Sequence, residues 1–426
     1  MPRVPRSPRP KPDRSRRSGV QITRPTLPPA AADRVVIVGA GPAGMATAIE
    51  LAQHGVPSTV LEKRGPDGTR APLFAVIPPF ADRLAALDPE GSLTSLLTPM
   101  ASMDSVHVPT GRRAERPFDG DLAPDAARSR GSIDAIVAAA GDAAAAGADR
   151  RRWATVGIDD VENGLRQLAR TQYADLIDLR SDAPVVEIRQ GDGWAEALVR
   201  GAGGMTDAVR GALLVDASGR DLLGGARTVY PERANWLGTR LDPDGQQAGT
   251  HRVRDAEPGP TTSTIALRSR DRTIVWGQLA QDAPPIAPEH AHEFVQRRAE
   301  QVGVTTPVPA DAPTMPVAVQ LWTSDEPARG RVLKVGDAVR APYFMTSTGA
   351  ATALVHDAPA AVDAILAVRA GGDVAAAVVG YADAVRGANA KLIDLVRPRL
   401  LKDLGIDPTA AGAPTTETVA PTRAVA

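Results

Sequence analysis

A short apolar stretch followed by a glycine-rich turn constrains this chain more than any other feature of its sequence. Val35–Val38 is a β-branched apolar run, typical of a strand buried on both faces of a parallel sheet. The turn Gly39–Gly44 follows, and an apolar helical pattern continues from it to Gly55. A second strand-like run, Pro57–Leu61, leads directly to Glu62. This order predicts one complete βαβ unit.

The spacing of the glycines indicates what the βαβ unit binds. Gly39 permits a tight turn, Gly41 leaves room for a pyrophosphate beside the backbone, and Gly44 lets the helix pack closely on the strand. Pro42 suits the first turn of a helix, whose free N–H groups attract phosphate. Glu62, 23 positions after Gly39, can accept both ribose hydroxyls of an adenosine. The unit therefore predicts a dinucleotide site, for NAD or FAD, without a 2′-phosphate.

Composition narrows the class of protein. With 43% hydrophobic and 23% charged residues, the chain reads as an ordinary globular protein. Its formal net charge of -1 gives no general attraction to nucleic acid. The absence of cysteine excludes disulfides and thiol catalysis, and the histidines show no metal-ligand spacing. No apolar run reaches the roughly 18–20 residues of a membrane span, so we expect a cytoplasmic protein without one and without a bound metal.

The two ends of the chain differ from its middle. Residues 1–33 are basic and rich in proline and arginine, and residues 405–426 are rich in alanine, proline and threonine; both are predicted to be disordered. Between them, helices are predicted at 160–171, 289–301, 349–368 and 374–395. Strands are predicted at 184–189, 194–200, 208–215, 262–268, 273–279, 317–322 and 331–335.

Two later motifs point to FAD rather than NAD. A buried strand ends in Gly336-Asp337 and is followed by the loop Ala341–Ala350 and a long alanine-rich helix. Between the first and last motifs, Leu213–Arg220 places Asp216 in an Asp-Ala-Ser-Gly turn at a strand end. All three motifs resemble, in order and spacing, those of the FAD-dependent group A, or p-hydroxybenzoate-hydroxylase-like, flavoprotein monooxygenase superfamily. The resemblance covers about residues 34–400.

The resemblance implies an α/β fold, with a three-layer Rossmann-like FAD-binding domain and an inserted, mainly antiparallel β-sheet substrate domain. The FAD-binding domain would comprise about 34–105, 150–225 and 325–400, and the substrate domain about 106–149 and 226–324. The resemblance also implies an enzyme of secondary metabolism, for example of antibiotic biosynthesis. Such an enzyme uses O2 and NAD(P)H, a transient co-substrate, and hydroxylates or epoxidises a small hydrophobic substrate through a flavin C4a-hydroperoxide. The oligomeric state stays open.

The motifs and the resemblance together give two sets of candidate residues. The predicted cofactor-binding residues are Gly39, Gly41, Pro42, Ala43, Gly44, Glu62, Lys63, Arg64, Arg70, Asp216, Gly336, Asp337, Thr348, Gly349 and Ala350. The predicted substrate-pocket residues are Trp236, His251, Trp276, Trp322, Tyr343 and Phe344. No catalytic side chain is assigned, because in this superfamily the flavin carries the chemistry.

The sequence also departs from the family pattern. Arg340 stands where the family often has histidine, and the loop after Pro342 keeps only Gly349 of the usual glycines. An arginine usual near residues 157–160 is absent. A loop without glycine could crowd the flavin, so a non-redox cyclase of a polyketide-type substrate stays an alternative, as does a non-enzymatic binding protein. The lysine and Trp-x-Trp-x-Ile-Pro signature of flavin halogenases is absent, as is the aromatic-rich motif of prenyl reductases.

The amino-terminal segment gives a first testable prediction. Its proline density and lack of apolar periodicity leave nothing to bury, so a variant beginning at Ala31 should keep the flavin content and melting temperature of the full chain. Absorbance of the purified protein and a thermal melt measure both. Insoluble expression of the shortened chain would refute the prediction.

Overall fold

The structure is a computed structural model that describes residues 34–66, 68, 70, 72–108, 111–118, 123–128, 133–141, 153–201, 205–255, 262–280 and 286–421. The segment 1–33 lies outside these residues. The described strands are β1 (Val35–Val38), β2 (Ser58–Leu61), β3 (Leu73–Val76), β4 (Thr98–Pro99), β5 (Ser102–His107), β6 (Arg112–Pro117), β7 (Ala154–Gly157), β8 (Ile177–Arg180), β9 (Val185–Gly191), β10 (Trp194–Arg200), β11 (Thr206–Gly211), β12 (Leu214–Asp216), β13 (Gly225–Leu241), β14 (Gly249–Asp255), β15 (Thr262–Arg268), β16 (Thr273–Gln278), β17 (Thr314–Ser324), β18 (Ala328–Arg329), β19 (Val332–Lys334), β20 (Arg340–Ala341) and β21 (Thr415–Val419).

The longer described helices are α1 (Pro42–Gln53), α2 (Pro78–Leu87), α3 (Ile133–Ala140), α4 (Ile158–Gln172), α5 (Pro288–Gln301), α6 (Thr348–Arg369) and α7 (Val374–Leu404). Within α6, a π-helical turn spans Ala353–Asp357.

A six-stranded sheet in the order β18-β19-β12-β1-β2-β8 forms the centre of the nucleotide-binding half. Its five strands from β19 to β8 are parallel. Alternate β1 side chains face opposite layers: Val35 and Ile37 join the helical core, whereas Val36 and Val38 pack towards β10. The three layers are therefore helices, the parallel sheet, and the antiparallel sheet β9–β11, which confirms the predicted fold class.

The parallel arrangement brings the sequence motifs together. Val38 at the end of β1 pairs in register with Leu61 of β2 and Asp216 of β12, and Asp216 pairs with Lys334 of β19. Because parallel strands end at the same edge, the segments that follow all emerge there. The glycine turn, Glu62, the Asp216 turn and the Gly336-Asp337 motif thus share one edge of the sheet.

A nine-stranded, mainly antiparallel sheet forms the second half. Its strands come from 102–117, 225–278 and 314–324, with β20 and β21 added from the carboxyl-terminal part. Apolar residues of α5 cover one face, including Val295, and the last turns of α7 cover the other, including Val396 and Leu400.

Helix α7 runs nine residues beyond the predicted end at residue 395, to Leu404. Proline usually ends a helix, but Pro398 lies inside this one. Packing of Leu392, Val396 and Leu400 on the large sheet outweighs the hydrogen bond lost at the proline. The first half of α7 packs instead on the core of the nucleotide-binding half, through Val385 and its neighbours.

The carboxyl-terminal segment also differs from its prediction. The expected disorder of 405–426 is wrong for Thr415–Val419, which pairs with Gly225–Val229 of β13. A threonine-rich pentapeptide has high β propensity, but composition alone does not show the free sheet edge with which it pairs.

Helix α6 is the one described helix long and apolar enough, by length and composition, to cross a membrane. It was not predicted as a candidate span, because His356, Asp357 and Asp363 interrupt its apolar residues in the sequence. In the structure 67% of the apolar window is buried, and Val355, Val362 and Ile365 belong to the main core. These contacts are those of a core helix.

A buried ion pair links α6 to the large sheet, and its two residues also bind the nucleotide-binding half. The Arg340 guanidinium binds both carboxylate oxygens of Asp357, at 2.6 and 2.9 Å, and donates through Nε to Asn389 of α7. Asp357 also accepts from the backbone N–H of Gly336 at 3.1 Å. Burial alone would raise the pKa of Asp357, but Arg340 holds it below its ordinary value. This pair explains why arginine occupies position 340.

Replacing Arg340 with methionine should leave Asp357 as a buried, uncompensated charge and lower the free energy of unfolding by about 3–5 kcal/mol. The matched control is Arg189→Met, which breaks an ion pair with Glu187 whose side chains are 46% and 39% exposed, at a cost of about 1 kcal/mol or less. Denaturant unfolding measures both. Equal losses of unfolding free energy in the two variants would contradict this account. So would a double variant, Arg340→Met with Asp357→Leu, that is no more stable than Arg340→Met alone.

Candidate functional site

Two cavities lie on either side of one loop, the segment 343–350. The smaller, about 370 Å³, includes Gly349 and Ala350 in its lining. The larger, about 520 Å³, is lined by residues 343–347 of the same segment. A molecule in the smaller cavity and one in the larger would therefore meet at this loop.

Most predicted cofactor residues line the smaller cavity, which we call the cofactor groove. They are Gly39, Gly41, Pro42, Ala43, Glu62, Lys63, Arg64, Arg70, Gly336, Asp337, Gly349 and Ala350. The other three, Gly44, Asp216 and Thr348, are buried and do not line the groove. The structure thus gathers residues from four separate stretches of the chain.

Backbone crowding explains the glycines of the first motif. Gly39 has φ of 102°, and a Cβ there would lie 2.4 Å from the carbonyl oxygen of Ala217. A Cβ on Gly44 would lie 2.0 Å from the Gly39 carbonyl oxygen. Gly44 therefore acts through packing of α1 against the turn, whereas Gly41 lies on the groove floor beneath the Arg70 guanidinium.

Asp216 and Thr348 shape the groove without lining it. Asp216 is fully buried and accepts from the backbone N–H groups of Ser218 and Leu222 at 3.0 and 3.2 Å. Burial raises the pKa of Asp216 to about 6. These bonds fix the turn whose residues 217–220 do line the groove. Thr348 is buried, with its hydroxyl 2.8 Å from that of Thr346.

Glu62 is already engaged by its own chain. Its Oε2 accepts from the Ala40 backbone N–H at 2.7 Å, and its Oε1 accepts from the backbone and Nε of Arg64 at 3.0 and 2.8 Å. Burial raises its pKa, but these donors outweigh burial and lower it below the ordinary value. Glu62 is therefore an ionised acceptor at neutral pH, directly at the groove.

Helix α4 supplies two charged groups that sequence reasoning missed. Glu162 forms ion pairs with Arg64, at 2.8 Å, and with Arg70. Arg166 donates to the Ala40 carbonyl at 3.2 and 3.3 Å. The family's arginine is absent from residues 157–160, yet Arg166, farther along the same helix, reaches the glycine turn. Only the i,i+4 spacing of an acid and a base hinted at a shared helix face.

The groove has the charge that a pyrophosphate requires. Lys63, Arg64, Arg70 and Arg220 all line it. Burial first, and the nearby Arg220 second, lower the pKa of Lys63, so a bound anion would relieve the repulsion. No side chain caps the amino terminus of α1, which leaves its N–H groups available to phosphate. These features fit a dinucleotide held in the orientation that the motifs predict.

Asp337 lines the same groove as Glu62. Its neighbours in the lining include Gly336, Gly349 and Ala350. The surrounding protein limits its hydration, and this raises its pKa. An acceptor at this position suits the hydroxyls of a ribityl chain. The residues present therefore fit FAD, with Glu62 towards the adenosine and Asp337 towards the flavin.

The loop without the usual glycines nevertheless adopts a glycine-like backbone. Ser347 has φ of 57°, in the left-handed region, immediately before α6 begins at Thr348. Such a conformation is uncommon for serine. The missing glycines predicted a bulkier loop here, but Ser347 adopts the backbone conformation of a glycine just before Gly349 and Ala350, which line the groove.

The larger cavity receives three of the six predicted pocket residues: Trp276, Tyr343 and Phe344. Phe344 packs against Trp276 and Trp236, with ring centroids 5.7 and 5.5 Å apart. Trp236 is buried beneath this contact and does not line the cavity. Trp322 lies outside it as well, with the Arg227 guanidinium 5.4 Å from its ring centroid.

His251 differs from its prediction because side chains alternate along a strand. Thr250, Arg252 and Arg254 of β14 face the cavity, so His251 points to the other side, where Nδ1 lies 3.7 Å from Asp104. Burial lowers the pKa of His251 more than Asp104 raises it. Among the described residues no cluster of His, Asp and Glu could hold a metal ion.

A buried charge cluster borders the larger cavity. Asp403, at the end of α7, forms ion pairs with Arg252 at 2.8 Å and Arg254 at 3.1 Å. It also accepts from the Tyr343 hydroxyl at 2.8 Å. Burial, and Asp403 after it, raise the pKa of Tyr343 well above its ordinary value. No sequence pattern indicated this cluster, because Tyr343 and Asp403 lie far from Arg252 and Arg254 along the chain.

Comparison with known proteins agrees with this geometry. Residues 33–71 match the family described as FAD binding domain. No curated protein matches the chain. Among solved structures, p-nitrophenol 4-monooxygenase PnpA from Pseudomonas putida DLL-E4 is 20% identical, with 89% of this chain and 91% of that chain covered and a TM-score of 0.64.

Two further solved structures widen the range of chemistry on this fold. Klebsiella pneumoniae HpxO, complexed with FAD and uric acid, is 16% identical, covering 88% of this chain and 90% of that chain, with a TM-score of 0.61. The flavin-dependent halogenase CmlS is 17% identical, with 85% of this chain and 62% of that chain covered and a TM-score of 0.64. The predicted resemblance is confirmed at the level of the fold: residues 33–71 match an FAD binding domain, and the chain has the fold of these flavin-dependent enzymes.

Replacing Glu62 with glutamine should remove charged acceptors from the ribose. Charge-assisted hydrogen bonds contribute about 1.5–3 kcal/mol each, so the Kd for FAD should rise about tenfold or more. FMN lacks the adenosine half, so its Kd should stay unchanged. Quenching of flavin fluorescence measures both constants.

The matched control is Glu196→Gln, another buried acid paired with an arginine, Arg210, outside both cavities. It should change neither constant. Equal weakening of FAD and FMN by Glu62→Gln would show that Glu62 acts only by holding the glycine turn and Arg64 in place.

Proposed function

We propose that this protein is an FAD-dependent monooxygenase that uses NAD(P)H and O2 to hydroxylate or epoxidise a small hydrophobic substrate of secondary metabolism. One observation carries the proposal: the cofactor groove and a larger, partly apolar cavity share the loop 343–350. When bound, FAD supplies the redox chemistry. The chain itself binds and orients the cofactor and the substrate, and it shields them from water.

The amino terminus of α6 supplies an electrostatic part of this role. Gly349 and Ala350, in its first turn, line the cofactor groove. Backbone N–H groups and the helix dipole favour negative charge there, so this helix end would stabilise an anionic form of a bound flavin. Ser347, through its left-handed backbone, directs this helix end at the groove.

The larger cavity supplies the shielding. Leu73, Ile265, Leu267, Trp276 and Phe344 give it a continuous apolar wall. An apolar wall next to the loop excludes water from the side of the cofactor where substrate would lie. It also suits an aromatic or polycyclic ring, which binds by burial of apolar surface and by contact with aromatic side chains.

Two other reactions compete on this fold. A halogenase has the same architecture, but the halogenase lysine and tryptophan motif is missing from this sequence. A non-redox cyclase was suggested by the loop that lacks glycines, whereas the left-handed backbone of Ser347, which a glycine would also adopt, supports the oxygenase. Oxygenation is therefore the reaction that we favour.

The proposal predicts that turnover requires reduction of the flavin. The purified yellow holoenzyme should be bleached anaerobically by NADH or NADPH, and faster in the presence of a substrate. Under ¹⁸O2, the product should gain one labelled oxygen atom. A panel of phenolic and polycyclic compounds, with and without added chloride and bromide, supplies the candidate substrates.

Mass spectrometry separates the three reactions. A product of unchanged mass formed anaerobically without NAD(P)H would replace the oxygenase with a cyclase. A product that gains halogen rather than labelled oxygen would replace it with a halogenase. Glu196→Gln is a suitable control variant, because Glu196 lies outside both cavities and its replacement should leave the labelled yield unchanged.

A further inference from the structure

The wall of the larger cavity carries more positive than negative charge. Four cationic side chains line it, Arg252 and Arg254 from β14 and Arg399 and Lys402 from α7. Among the described residues Asp403 is the one carboxylate of this wall, because Asp104 directs its side chain to the opposite face of the sheet, beside His251. On that opposite face, the Asp104 carboxylate accepts a hydrogen bond from Arg113 at 3.1 Å.

Arg252 and Arg254 share that single carboxylate. Asp403 binds Arg252 through Oδ2 and Arg254 through Oδ1, and Oδ2 also accepts from Tyr343. The two arginine side chains are only 14% and 24% exposed, so water screens their mutual repulsion poorly. Burial first, and Arg252 second, lower the pKa of Arg254. A second anion beside the pair would relieve this repulsion.

The remaining wall is apolar and aromatic. Trp276 of β16 and Phe344 of the loop lie in the lining, together with Ile265 and Leu267 of β15. A charged wall and an apolar wall in one cavity suit a ligand with the same two parts. Guanidinium groups bind carboxylates through paired hydrogen bonds that a neutral group cannot replace.

We propose that the substrate is an aromatic or polycyclic acid, whose carboxylate binds Arg252 and Arg254 while its ring packs on the apolar wall. The inference rests on the proposed function in taking the larger cavity as the substrate site. Asp403 acts as an internal counter-ion that holds the two arginines in position and competes with the substrate anion.

The test uses a pair of probes on the oxidised FAD holoenzyme, 2-naphthoate and its neutral isostere 2-naphthamide. Perturbation of the flavin absorbance, checked by calorimetry, gives each Kd. The acid should bind about tenfold or more tightly than the amide, and the preference should shrink as salt concentration rises. Because no turnover is needed, failure of this test and failure of the oxygenase proposal are distinguishable.

Two variants should act in opposite directions. Arg252→Met should abolish the preference for the acid. Asp403→Asn retains an acceptor for Tyr343 and removes the competing charge, so it should bind naphthoate more tightly than the parent protein and naphthamide equally well. The matched control is Arg113→Met, an arginine that is 60% exposed and outside the cavity lining, which should change neither constant.

Several outcomes would overturn the inference. Equal binding of acid and amide by the parent protein would do so, and so would weaker naphthoate binding by Asp403→Asn, whatever the stability of Arg252→Met. Displacement of naphthoate by adenosine 2′,5′-bisphosphate would assign the cationic wall to the phosphates of the nicotinamide nucleotide instead.

Discussion

The buried pair of Arg340 and Asp357 joins four segments that are separate in the sequence. Arg340 belongs to β20 at the edge of the large sheet, and Asp357 belongs to the π-helical turn of α6. Their partners are Asn389 of α7 and Gly336 of the Gly336-Asp337 motif. The cofactor groove and the larger cavity are both bordered by segments that these four residues position. Their relative placement therefore depends on a charge pair that has no access to water and tolerates little displacement.

Both cavities use the same electrostatic arrangement. In the cofactor groove, Glu162 binds Arg64 and Arg70, two cations that suit a pyrophosphate. In the larger cavity, Asp403 binds Arg252 and Arg254. An internal carboxylate holds the cations of each site in an ordered geometry at the cost of partly neutralising them. A ligand anion then binds to arginines that need little reorganisation.

The sequence was informative where a function depends on neighbouring residues. The turn at Gly39–Gly44, its strand and its helix lie within one continuous stretch, and so does the Gly336-Asp337 motif. Other features depend on partners that sequence does not reveal: Arg254 and Asp403 are 149 positions apart, and β21 needs the free edge of β13. The backbone of Ser347 and the passage of α7 through Pro398 are also decided by tertiary contacts, against local preference. The side of the sheet to which His251 points depends on the alternation along its strand, and a shift of one residue reverses that side.

The long helix α7 limits how freely the two halves can be recombined. Its first turns are part of the core behind the flavin motifs, and its last turns carry Arg399, Lys402 and Asp403 to the wall of the larger cavity. The specificity of that cavity is thus encoded partly outside the strands of the large sheet. A chimera that imported only residues 102–117 and 225–324 from a relative would combine a foreign pocket with this chain's own charged wall. If the larger cavity binds substrate as proposed, an exchange of substrate preference requires residues 374–404 to be transferred together with the sheet.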